Sequence, residues 1–156
     1  MRVAIGSDHA GFVLKERVKA ELMKMGHEVQ DVGTDSAEKS VDYPDFAIPV
    51  GERVASGRAD RGVVMCATGI GASIAANKVE GVRASVVTSD ETARLTRQDN
   101  DSNVLALGGR TTANLDDAIR WLDIWLATPF AGGRHERRVE KIKDFEAKER
   151  HRSGTA

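Results

Sequence analysis

The chain contains a single cysteine, Cys66, among 156 residues. One thiol cannot form an internal disulfide. No export signal is recognisable, because the first apolar run, residues 3–5, gives way at once to polar residues 7–9. No stretch approaches the ~18 apolar residues that cross a bilayer. These absences predict a soluble protein of the reducing cytoplasm with no membrane partner.

An excess of either charge is also missing. The chain has 23 basic and 24 acidic residues, and its formal net charge is -1 at pH 7. Such a balance provides no long-range field to attract nucleic acid, so nucleic acid is not an expected partner. The length suits one domain with one core. We expect residues 1–150 to form this domain and residues 151–156 to be a disordered tail.

Short β-branched runs alternate with amphipathic segments along the chain, which predicts a parallel sheet covered on both faces. A charged, helix-favouring segment follows Gly132-Gly133 and predicts a separate C-terminal helix. Ligands bind beyond the carboxyl ends of the strands in such sheets. The five predicted strands are Arg2 to Gly6, Glu28 to Val32, Gly62 to Cys66, Arg83 to Val87 and Val104 to Leu107.

The first polar motif at a strand end is Gly6-Ser7-Asp8-His9. One interpretation is a helix N-cap, since Ser7 or Asp8 can accept hydrogen bonds from free backbone N–H groups. The adjacent His9 favours a second interpretation, because an acid and an imidazole together suit recognition of hydroxyl or phosphate groups.

The second motif is Cys66-Ala67-Thr68-Gly69-Ile70-Gly71, between a strand and a helix. Lone cysteines are often inert buried residues. Here the positive end of the helix dipole favours a thiolate, which is a base. The glycines allow backbone N–H groups to form an anion-binding concavity. A dinucleotide fingerprint would need a third glycine where Ile74 stands, and the lysine of a phosphate-binding P-loop is absent.

The third motif begins at Gly132-Gly133 and contains Arg134 and Arg138, which share one helical face as a phosphate clamp would require. A solvated charged helix is the alternative. No metal site is predicted, because the four histidines show no ligand spacing and the cysteine has no partner. No serine-histidine-acid arrangement is evident either.

Together these motifs resemble the type B ribose-5-phosphate isomerases, with galactose-6-phosphate isomerase subunits as relatives. The resemblance runs from Arg2 to about Glu146 in unchanged order. The matching segments are Gly6-Ser7-Asp8-His9-Ala10-Gly11, Asp42-Tyr43-Pro44, Cys66-Ala67-Thr68-Gly69-Ile70-Gly71, Ala75-Ala76-Asn77-Lys78, Asn100-Asp101-Ser102-Asn103 and Gly132-Gly133-Arg134-His135.

The resemblance implies a Rossmann-like three-layer α/β/α domain with a five-stranded parallel sheet and a C-terminal helix. It implies a homodimer or a dimer of dimers that uses no cofactor. In the family, the residue matching Cys66 takes a proton from the sugar, and the one matching Thr68 moves protons between the sugar oxygens. The backbone of residues 67–71, including Ala67, Gly69, Ile70 and Gly71, holds the enediolate.

Further roles follow from the same resemblance. The residues that are expected to surround the sugar are Asp8, His9, Tyr43 and Asn100. Those that are expected to meet the phosphate, partly from the neighbouring subunit, are Arg110, Arg134 and Arg138.

Two positions depart from the family. Ala67 replaces a frequent glycine, which is a small change because the backbone N–H does the binding. The family's ring-opening histidine precedes the residue matching Asn100, and this chain has Asp99 there. An ionised carboxylate can only accept a proton, whereas an imidazole can donate one at neutral pH.

We therefore expect a cofactor-independent aldose-ketose isomerase that interconverts ribose 5-phosphate and ribulose 5-phosphate. One alternative keeps the mechanism but uses another sugar phosphate, notably an open-chain tetrose 4-phosphate that needs no ring opening. Another is a non-catalytic module that binds a nucleotide or sugar phosphate, with Cys66 merely buried.

Overall fold

A computed structural model describes residues 1–154. Its centre is one five-stranded, fully parallel sheet with strand order β2-β1-β3-β5-β4. All five predicted strands are confirmed, with ends that differ by at most one residue. They are β1 (Arg2–Ser7), β2 (Glu28–Asp31), β3 (Arg61–Cys66), β4 (Ala84–Val86) and β5 (Val104–Gly108).

Helices cover both faces of the sheet, so the predicted three-layer α/β/α architecture is confirmed. A short 3-10 turn, His9–Gly11, precedes the first helix. Over residues 1–154, no helix has the length and apolar content that crossing a membrane requires. The helices are α1 (Phe12–Lys24), α2 (Pro44–Ala55), α3 (Ile70–Ala76), α4 (Asp90–Asn100), α5 (Leu115–Ala127) and α6 (Arg134–Ser153).

The alternation of side chains along β3 divides the core into two halves. Val63 and Met65 pack with α1 and α5 on one face of the sheet. Val64 and Cys66 pack with α2 and α3 on the other. Successive residues of a strand point to opposite faces, so the position of Cys66 at the end of β3 directs its thiol towards the α2–α3 side.

The C-terminal helix extends beyond its expected end. The prediction of a disordered tail from residue 151 is wrong for residues 151–153, because α6 continues to Ser153. Side-chain contacts within the last turn support it, with Arg152 2.7 Å from Glu149 and the Ser153 hydroxyl donating to the Glu149 carbonyl at 3.0 Å. Residues 155 and 156 of the predicted tail lie outside the described residues.

The segment after α4 is anchored at the amino edge of the sheet, where the parallel strands begin. The Gly62 N–H donates to the Asn103 carbonyl at 2.9 Å. The indole N–H of Trp125, a fully buried residue of α5, donates to the Ser102 hydroxyl at 2.8 Å. These bonds fix the C-terminal end of α4 against both the sheet and α5.

Ser102→Ala should lower the free energy of unfolding by about 1–3 kcal/mol, because the buried Trp125 N–H would lose its acceptor. Urea unfolding followed by tryptophan fluorescence measures this change. Ser56→Ala is the matched control, since the Ser56 hydroxyl is exposed and water replaces its bond to the Glu52 carbonyl. Equal losses in the two variants would contradict the anchoring role.

Candidate active site

Three loops meet at the carboxyl edge of the sheet, where the parallel strands end. Residues 66–71, named here the thiol loop, connect β3 to α3. The loop after β5 ties it down, because the Gly109 N–H donates to the Cys66 carbonyl at 2.8 Å and the Arg110 N–H to the Ala67 carbonyl at 2.9 Å. The thiol loop is therefore held rigidly beside Arg110, whose side chain is exposed.

Cys66 is only 4% exposed, and its sulfur already has a hydrogen-bond donor. The Gly69 N–H points at the Cys66 Sγ at 3.2 Å. The sulfur that the sequence predicts as a base is therefore held by the backbone of its own loop, and the first turn of α3 begins at Ile70, directly after Gly69.

Only glycine fits at position 69. Its φ of 77° lies in the left-handed region, and a Cβ there would stand 3.0 Å from the Leu107 carbonyl carbon. The turn brings the Ile70 N–H to the Thr68 Oγ1 at 3.1 Å. Because Thr68 accepts this bond, the proton of its hydroxyl stays available to a ligand.

Tyr43 lies directly against the thiol loop. A Cβ on Gly71 would stand 2.7 Å from the Tyr43 Cζ, so a side chain at position 71 would displace the ring. Tyr43 is nevertheless 39% exposed, which leaves part of the ring and its hydroxyl to contact a ligand.

The loop after β1 completes this group. Asp8 is buried, and its Oδ1 accepts from the Gly11 N–H at 3.0 Å, so the N-cap interpretation of Asp8 is confirmed. The His9 Nδ1 lies 3.2 Å from both the N and the O of Val41, two residues before Tyr43 in sequence. We call the set the carboxyl-edge cluster; its members are Asp8, His9, Tyr43, residues 66–71 and Arg110.

The remaining predicted site residues lie elsewhere. Asn100 ends α4, while Arg134 and Arg138 occupy the first turns of α6, and all three are exposed. Asp99 connects the two helices, because its Oδ1 is 3.4 Å from the His135 Nε2. We call this set the amino-edge cluster; its members are Asp99, Asn100, Arg134, His135 and Arg138.

Paired arginines lie beside the amino-edge cluster. Arg83 and Arg97 both bind Asp101, at 3.3 and 2.8 Å. Burial, followed by the charge of Arg97, lowers the pKa of Arg61 at the start of β3.

The sheet separates the two clusters. β3 runs from the amino edge, where Gly62 bonds to Asn103, to the carboxyl edge at Cys66. Four residue steps lie between Gly62 and Cys66, which span about 13 Å at ~3.3 Å per residue. The chain therefore brings Asp8, His9 and Tyr43 to the thiol, but it places Asn100 and Asp99 at the opposite edge.

The sequence analysis did not identify the contact between His135 and Asp99. The two residues are 36 positions apart on different helices, and no spacing rule connects them. Among residues 1–154, no group of three histidine, cysteine, aspartate or glutamate side chains is arranged to hold a metal ion.

Known proteins share both the sequence and this architecture. The ribose-5-phosphate isomerase B of Escherichia coli is 47% identical over 145 residues, which cover 93% of this chain and 96% of that protein. A Clostridium thermocellum ribose-5-phosphate isomerase B structure is 53% identical with a TM-score of 0.91, covering 95% of this chain and 99% of that one.

A third relative has been solved with a ligand. Ribose-5-phosphate isomerase B from Mycoplasma genitalium, with bound ribulose 5-phosphate, is 39% identical with a TM-score of 0.89; the match covers 94% of this chain and 96% of that one. The family model described as Ribose/Galactose Isomerase matches residues 3–142. The chain belongs to the ribose/galactose isomerase family.

Proposed function

We propose that this protein interconverts ribose 5-phosphate and ribulose 5-phosphate. The observation that carries the proposal is the buried Cys66 thiol, which faces the Gly69 N–H inside a rigid glycine-rich loop. The ligand and the names of the relatives support the choice of sugar. A thiol base works only while it is reduced, so we also propose a cytoplasmic location.

The proposed chemistry needs only groups of the protein. Cys66 removes the proton from C2 of the open-chain aldose, and the electrons move onto the carbonyl oxygen O1 to give an enediolate. Backbone N–H groups of the thiol loop, such as that of Gly71 in the first turn of α3, stabilise the negative charge. The Thr68 hydroxyl moves a proton between O2 and O1, and Cys66 returns its proton to C1. No cofactor takes part.

The same proposal requires two subunits. The arginines of the amino-edge cluster lie too far from Cys66 in their own chain to hold the phosphate of a five-carbon sugar. A second copy of the chain places them over the thiol loop, where Arg110 also meets the phosphate and Asn100 reaches the sugar. Large apolar side chains are exposed beside the thiol loop, at Ile70 and Ile74, and suit burial in a homodimer. Pairing of two dimers into a dimer of dimers would leave this site unchanged.

Cys66→Ser should reduce kcat by about 10²- to 10⁴-fold, because a hydroxyl is too weak an acid to supply a base near neutral pH. Substrate binding should remain close to native, since serine keeps the size of the side chain. Steady-state kinetics and calorimetric titration with ribose 5-phosphate measure the two effects. Near-native kcat in this variant would place the base at another residue.

Mixed dimers test the shared site. Cys66→Ser and the double variant Arg134→Ala/Arg138→Ala should each be nearly inactive alone. After joint refolding they should recover about a quarter of native activity, because half of the dimers are mixed and each mixed dimer holds one intact site. Arg150→Ala, on the same helix but paired with Glu80, is the matched arginine control and should stay active. No recovery on mixing would show that thiol and arginines act within one chain.

A second candidate function follows from Asp99. A pentose 5-phosphate is mostly a closed furanose, and its ring oxygen must be protonated before isomerisation. A tetrose 4-phosphate cannot form this ring, because its O4 carries the phosphate. If the carboxylate of Asp99 cannot supply the proton, an open-chain substrate such as erythrose 4-phosphate would be used better.

Comparison of kcat/KM for the two sugars distinguishes the candidates. We expect native enzyme to prefer ribose 5-phosphate, because the longer substrate spans the distance between thiol and arginines. Initial rates of ketose formation with each sugar provide the measurement. A higher kcat/KM for erythrose 4-phosphate, with Asp99→His shifting the preference towards the pentose, would favour the tetrose isomerase instead.

A further inference from the structure

We propose that Asp99 and His135 together supply the proton that opens the furanose ring. In this proposal Asp99 contacts the sugar, and His135 supplies a proton to Asp99. The inference rests on the proposed function. It assigns a role to the one contact between site elements that the isomerisation step leaves unused.

The geometry places the carboxylate in front of the imidazole. His135 lies in the first turn of α6, and its side chain is only 11% exposed. The side chain of Asp99 is 34% exposed, and its Oδ1 is 3.4 Å from the His135 Nε2. The Asp99 carboxylate is therefore more accessible to a ligand than the His135 imidazole that it contacts.

The neighbouring cation does not neutralise Asp99. The Arg97 Nη1 donates to Asp101 at 2.8 Å and to the Ser102 carbonyl at 2.6 Å. The Gln98 amide donates to the same Asp99 Oδ1 at 3.3 Å. Within residues 1–154, Oδ2 of Asp99 has no hydrogen bond or ion pair. The Oδ2 atom of Asp99 is thus available to a ligand, while its Oδ1 atom faces the His135 imidazole.

The surroundings match the proposed substrate. Asn100 follows Asp99 directly, and Arg134 and Arg138 flank His135 on α6. These are the residues proposed to meet the sugar and its phosphate. Asp99 and His135 therefore lie close to the residues that are proposed to bind the sugar phosphate, where its ring would contact Asp99.

The proton balance of ring opening is simple. The imidazolium form of His135 passes its Nε2 proton to Asp99 and becomes a neutral imidazole, and Asp99 gives a proton to the ring oxygen O4. The C1–O4 bond breaks with its electron pair moving to O4, while O1 loses its proton to solvent water and the C1 carbonyl forms. Solvent then returns a proton to the pair, so the net change is hemiacetal to hydroxy-aldehyde.

A pair can donate where a lone carboxylate cannot. Free imidazoles exchange a proton near pH ~6.5 and free aspartate carboxyl groups near ~3.9, so an imidazole is the residue type whose acidic form persists closer to neutral pH. The 3.4 Å separation is long for transfer, but catalytic hydrogen bonds often tighten when substrate binds.

Two readouts separate ring opening from isomerisation. Conversion of ribose 5-phosphate needs both steps. Exchange of the C1 hydrogen of ribulose 5-phosphate with D2O, followed by proton NMR, needs only the thiol, because this ketose has no furanose ring to open. His135→Asn should lower kcat/KM for ribose 5-phosphate by on the order of tenfold or more and leave the exchange rate close to native.

The variant Asp99→His provides the decisive comparison, because it places an imidazole directly at the sugar. In this variant, the additional change His135→Asn should alter neither the turnover of ribose 5-phosphate nor the exchange of the C1 hydrogen. His27→Asn is the matched control, because the His27 ring lies 3.3 Å from the N-terminal amine, and it should leave both rates native.

The inference is overturned if His135→Asn lowers both rates equally, which indicates a structural or binding role, or if it lowers neither. A selective loss of ribose 5-phosphate turnover in His9→Asn but not in His135→Asn would assign ring opening to His9. Native enzyme that exchanges no C1 hydrogen of ribulose 5-phosphate contradicts the proposed function itself, and the inference with it.

Discussion

The parallel sheet keeps the Cys66 thiol and the arginines of α6 apart, and the rest of the account depends on this separation. β3 ends at Cys66, while the segment after α4 is bonded to the start of the same strand through Gly62 and Asn103. Hydrogen bonds of the sheet hold both ends, so no loop movement within one chain joins them. Under the proposed function, a five-carbon sugar phosphate would touch both groups only where two copies of the chain meet. The proposed site would then be a property of the assembly, with one half supplied by each chain.

Much of the fold could be predicted from the sequence because its signals are local. The five β-branched runs each became a strand, and Gly132-Gly133 did precede the C-terminal helix. The end of α6 was missed because the last residues of a chain are usually poorly ordered, whereas contacts such as that between Arg152 and Glu149 continue the helix. Buried pairs between distant segments, such as Lys15 with Asp31 at 2.6 Å, also left no local pattern.

The candidate site was predicted unevenly for the same reason. The thiol loop was identified because strand, turn glycines and helix start follow one another within six residues, and the structure adds the Gly69 N–H bond to the sulfur. The departure at Asp99 was visible as a single substitution, but its contact with His135 was not. In the proposed mechanism that contact changes the meaning of the substitution, because a carboxylate beside an imidazole can relay a proton from it. A residue type alone therefore does not determine what a site can donate.

The most direct test of the shared site is a crystal structure of the protein with ribulose 5-phosphate bound. We expect C1 or C2 of the sugar to lie within about 3.5 Å of the Cys66 Sγ, a distance suited to proton transfer. We also expect the phosphate to contact Arg134 and Arg138 of a second copy of the chain. A sugar held away from the thiol, or a phosphate bound without the second copy, would contradict the shared site.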